Sequence, residues 1–110
     1  MANTVVTSGN MVQITGLDAD WLWTSLDPHF RHLGLISIQF NPSAANDILA
    51  IRNIVVATGL FIFKVKCAGD TDQRIKYYYG ARLQPVLDIS DCTLGTAANC
   101  LLTLHFGNIN

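Results

Sequence analysis

Period-two alternation is the feature that most restricts how this chain can fold. From Phe61 onward, Phe61, Phe63, Val65 and Cys67 fall on one side of an extended backbone, and Ile62, Lys64 and Lys66 on the other. A strand turns that spacing into one buried face, whereas a helix would scatter it around its axis. Residues 33–40 repeat the theme, with Ile36, Ile38 and Phe40 alternating with Leu35, Ser37 and Gln39. Residues 11–15, the Ile- and Val-rich stretch 47–56, RIKYYY and NCLLTLHF supply further strand segments. LQPVLDIS contains a shorter one, which Pro85 confines to an edge or a strand start.

Asn, Pro, Ser and Gly punctuate these segments at NPSAAN, Gly59, AGDTDQ and Gly80. Helix is supported only as one or two turns, in DADWLWTSLDPHF and in PSAAND. All eight acidic residues are Asp, a turn and cap former, and none is Glu. The chain therefore reads as all-β: a single-domain antiparallel β-sandwich or small barrel of six to eight short strands. A length of 110 residues suits one domain, 1–110, with 1–32 set apart as an N-terminal arm or interface segment. Two pairings are expected: 33–40 beside 47–56, and a hairpin of LFIFKVKC with RIKYYY across a loop of about six residues.

Only 14% of the residues are charged while half are hydrophobic, against about 25% charged in an ordinary soluble domain. A domain this small keeps much of its surface outside any core, so apolar groups must also populate its exterior. Asn, Ser and Thr replace part of the missing charge. The remainder points to surface covered by partner proteins, as in permanent assemblies. A formal net charge of −1 supplies no field to gather nucleic acid or an anionic membrane. The most apolar stretch, IVVATGLFIF, is broken by Thr58 and Gly59 and falls short of the roughly 18 residues of a spanning helix. MANTVVTSGN has neither the basic start nor the apolar run of a secretory leader.

Chemistry-bearing arrangements are sparse. Cys67, Cys92 and Cys100 lack zinc-site spacing and read as reduced thiols, with a Cys92–Cys100 bridge left open. His29 and His32 share one turn without a third ligand, and His105 stands alone. No GxSxG elbow accompanies the serines. Asp18 with Asp20 and Asp70 with Asp72 do not continue into a calcium loop, whose final ligand is a Glu this chain lacks. No catalytic residue, cofactor or metal is expected.

Two clusters suit protein contacts. Trp21 and Trp23 in an extended WLW would turn both rings to one side, as an aromatic platform for a partner or a sugar, or as the closing end of the core. Lys64, Lys66, Arg74 and Lys76 would collect on one face of the expected hairpin, continued by Tyr78, to meet an acidic neighbour or to stay solvated.

The stretches LGLISIQFNPSAANDILAIRN, FIFKVKCAGDTDQRIKYYYGARLQPVLDIS and LLTLHFG, together covering about residues 33–107, resemble small structural proteins of tailed bacteriophage virions. The resemblance implies a non-enzymatic virion component, made in the host cytoplasm and assembled in many copies. Its leading form is a capsid decoration or cement protein that bridges major capsid subunits and forms a homo-oligomer, often a trimer. A neck, tail or fibre component is the alternative within assembly proteins, and a carbohydrate-binding module the alternative from another class.

Overall fold

The computed structural model describes residues 3–26, 28–55 and 58–108. Among these residues nine strands form two antiparallel sheets that face each other as a sandwich. In chain order they are β1 (Thr4–Ser8), β2 (Met11–Thr15), β3 (Trp21–Leu22), β4 (Gly34–Asn41), β5 (Ile48–Asn53), β6 (Phe61–Lys66), β7 (Arg74–Ala81), β8 (Pro85–Leu87) and β9 (Leu101–Gly107). One sheet has the order β1-β2-β9-β4-β7 and the other β3-β8-β5-β6. Short 3-10 turns at Trp23–Ser25, Pro28–His32, Ile89–Asp91 and Ala97–Asn99 are the helical content of the described residues.

Alternation decides which side of each strand faces the other sheet. Val12, Ile14, Ile38, Phe40, Leu102, Leu104 and Phe106 line the inner side of the five-stranded sheet, and Leu49, Ile51, Phe63 and Leu87 that of the four-stranded one. Phe30, carried by a 3-10 turn, packs edge-on to Phe106 at a centroid distance of 5.4 Å. Total accessible surface is 5796 Å², close to the roughly 6,000 Å² expected of a folded monomer of this mass. Exposed apolar groups therefore reflect the sequence and not loose packing.

Neither expected pairing forms. β4 and β5 lie in different sheets, as do β6 and β7, so each of these connections crosses the sandwich instead of turning a hairpin. The two crossings run side by side: the Asn46 amide donates to the Cys67 carbonyl at 2.8 Å, and the Cys67 amide to the Asp47 carbonyl at 2.8 Å. Asp47 holds the first crossing in place. Its buried carboxylate accepts from the Ser43 amide (2.7 Å), the Ser43 hydroxyl (2.7 Å), the Ala44 amide (3.1 Å) and, across the chain, the Gly95 amide (2.8 Å). β5 instead pairs with β6, joined by the apolar loop that begins at Ile54.

Residues 1–32, set apart in sequence as an arm, contribute β1 and β2 to one sheet and β3 to the other. β7 meets β4 with a register shift between Leu35 and Ser37. Tyr79 (φ 54°) and Gly80 (φ 83°) bend β7 there. Gly34 lies against that bend so closely that a Cβ would stand 2.2 Å from the Gly80 carbonyl oxygen.

Candidate protein-interaction surface

The residues between the inward-facing ones point away from the sandwich. On the five-stranded sheet the register aligns them in rows. Val6, Gln13, Thr103, Gln39 and Ile75 form one row, and Ser8, Met11, His105, Ser37 and Tyr77 the next. Thr4, Thr15, Leu101 and Asn41 form a third. None of these is Asp, Glu, Lys or Arg. Ser37 and Thr103, at the centre, are only 8% exposed although they face outward. At the margins Val6, Met11, Ile75, Tyr77 and Tyr79 are exposed. The Tyr77 and Tyr79 rings lie 6.3 Å apart at the β7 edge, and Tyr79 is 73% exposed on a backbone conformation that aromatic residues rarely adopt.

The opposite sheet presents a different exterior. Beside β5 the chain after β8 continues the pairing: Thr93 bridges to Ile48 and the Cys92 thiol lies against the Ala50 backbone. Arg52 ties that segment to the β5–β6 loop. Its guanidinium reaches Asp91 (2.8 Å) and Asp88 (3.5 Å), donates to the Gly59 carbonyl (2.6 Å) and stacks 3.9 Å over Phe61. Beyond it Ile54, Val55 and Leu60 stand exposed at the loop.

The sequence-derived candidates fare unequally. Trp21 and Trp23 are 5% and 7% exposed and belong to the core, so they form no outward platform. Trp21 is held inward opposite Leu87, while the chain leaves the extended form at Trp23. Both indole nitrogens are buried without a hydrogen-bond acceptor among the described residues.

The four cations do not collect on one face, because β6 and β7 never pair. Lys64 and Lys66 lie on the outer side of the four-stranded sheet, opposite Ala50 and Ile48. Arg74 and Lys76 lie on the inner side of β7, opposite Phe40 and Ile38, where the edge of the sandwich is open. Arg74 grips Asp72 with two bonds of 2.9 Å, which hold the Asp72 carboxyl down to about 2. Lys64 sits 4.5 Å over Phe61 and Lys76 5.4 Å over Tyr78. Tyr78 closes the gap between the sheets by donating its hydroxyl to the Ile62 carbonyl, and burial pushes its pKa up to about 12.

All three cysteines are free thiols. Burial raises the pKa of each, that of Cys92 to about 11. His32 is exposed, and the side chain of His29 lies outside the described residues. Among those described, no group of three or more His, Cys, Asp or Glu is placed to hold a metal ion.

Compared with known proteins, the chain matches no family model and has no significant sequence match among curated proteins. The rows of the outer face were missed in the sequence because strand order is needed to assemble them. A signal was present: the outward positions 11, 13 and 15, 37, 39 and 41, and 101, 103 and 105 all lack charge.

Proposed function

We propose that this chain is a non-enzymatic structural protein of a tailed-phage virion, a decoration or cement protein whose outer five-stranded face packs on capsid subunits. The observation that carries this reading is the absence of charge across that face. Burying an unpaired charge at an interface costs several kcal/mol, and the cores of interfaces are depleted of Lys, Asp and Glu. A sheet face that meets only water has no such restriction. An interface of ordinary size covers about 800 Å² per partner, a small part of the 5796 Å² available. The exposed tyrosines at its rim match the residue type enriched at protein contacts.

The burial of Trp21 and Trp23 removes the feature on which a sugar-binding reading depended. A density map of the virion tests the proposal. Copies spread over the head lattice with the five-stranded sheet against capsid protein are the expected result. Copies confined to the neck or tail overturn the cement reading.

A further inference from the structure

An open sheet edge offers a row of backbone N–H and C=O groups to any other extended chain, and proteins usually blunt such edges. The four edges of the described sheets differ in this respect. β3 is only two residues long. β6 carries Lys64 and Lys66, and β7 carries Arg74 and Lys76 and is bent at Tyr79 and Gly80. β1 has none of these devices. It reads TVVTS, with every residue exposed and no charge or proline, and the first charged residue of the chain is Asp18.

β1 is also held ready. At one end a two-residue turn joins it to β2, with Gly9 at φ 59°. At the other, the Asn3 side chain accepts from the Asp18 and Ala19 amides at 3.0 and 3.2 Å and donates to the Ala19 carbonyl at 2.8 Å. A strand fixed at both ends loses little freedom when another strand joins it. Val5 pairs with the core residue Ile14, and so faces the inner side of the sheet, yet it remains 39% exposed. The four-stranded sheet does not cover β1.

We infer that β1 is a pairing edge for the β1 of a second copy of this chain, antiparallel about a two-fold axis, with Val6 opposite Val6 of the second copy. The five-stranded sheets of the two copies then run on as one. Self-pairing suits this strand because it is neutral: valine and threonine meet valine, threonine and serine, and no like charges are opposed. The inference rests on the edge alone and stands apart from the capsid reading, which rests on the sheet face.

Sedimentation equilibrium over a concentration series tests it. The expected mass is twice the 12.1 kDa of the chain at high concentration, falling to the single-chain value on dilution. Thr7→Pro removes an N–H that points away from β2 at the open edge, and Val5→Lys adds a charge. Each should weaken self-association at least tenfold while the far-UV spectrum stays that of the folded chain, and Val6→Thr should leave it unchanged. If Thr7→Pro unfolds, Val5→Lys decides alone. Val6→Cys should give a disulfide-linked pair on mild oxidation. A single-chain mass at every concentration, or an oligomer of any size that survives both disruptive variants, overturns the inference. So does a β1 whose amides become protected from exchange only when a different protein is added.

Discussion

Asp47 shows how one side chain can fix a chain path. Burial pushes its carboxyl upward, but the bonds from Gly95, Ser43 and Ala44 outweigh that and hold its pKa below the ordinary 3.8. Because the folded-state value is depressed, the stability it contributes is present above that pH and is lost as pH falls through the folded value. Asp47→Ala strands several donors and should cost about 3 kcal/mol in urea unfolding. Asp47→Asn should flatten the acid limb of a stability-pH curve, and an unchanged limb would assign the loss to other carboxylates. Ile54 holds φ 71°, a conformation that costs a β-branched residue roughly 1–2 kcal/mol. Its side chain is exposed. Ile54→Gly should therefore leave thermal stability equal or raised by up to about 1 kcal/mol, the gain limited by the larger entropy of the unfolded glycine chain. A clear loss would mean that the side chain packs against something. With burial raising all three thiol values, and Cys92 at about 11, iodoacetamide at pH 8 should label the folded chain slowly and the urea-unfolded chain fast. Rapid native labelling would contradict the burial.

At the level of elements, strands were legible and their partners were not. The segments at 11–15, 33–40, 60–67, 74–79 and 99–106 all became strands, because a strand with one buried face writes its period into the sequence. β1 left no such record: all five of its residues are exposed, so no alternation marks it. β3 is too short to show one. The LFIFKVKC and RIKYYY segments looked like a hairpin because AGDTDQ has turn composition. A six-residue connection can also carry the chain between sheets about 10 Å apart, and contacts such as Asn46 to Cys67 chose that path. The cationic face was lost with the hairpin. Gly34 tests the bend where β4 meets β7. Gly34→Ala forces backbone apart at the Gly80 carbonyl and should destabilise by roughly 2 kcal/mol or more. A neutral result would show that the two strands separate freely.

Over the whole molecule, low charge pointed to uncharged outer surface without showing where it lies. Trp21 and Trp23 carried the strongest aromatic signal, yet the core claimed them, since a small sandwich needs large side chains to close its end. The outer face comes instead from modest residues, Gln13, Ser37, Gln39, Thr103 and Tyr77, aligned by the register of five strands. The proposal that this face binds capsid makes a direct demand. A partner that binds only the assembled state stabilises that state, and a charge placed at the contact should abolish the effect. The decisive measurement is the heat threshold of heads mixed with this chain or with its Tyr77→Asp variant, a substitution at a position 55% exposed. The native chain should bind and raise the threshold, while the folded variant should do neither. Heads that melt alike with and without the chain, or that are protected equally by Tyr77→Asp, would contradict the account.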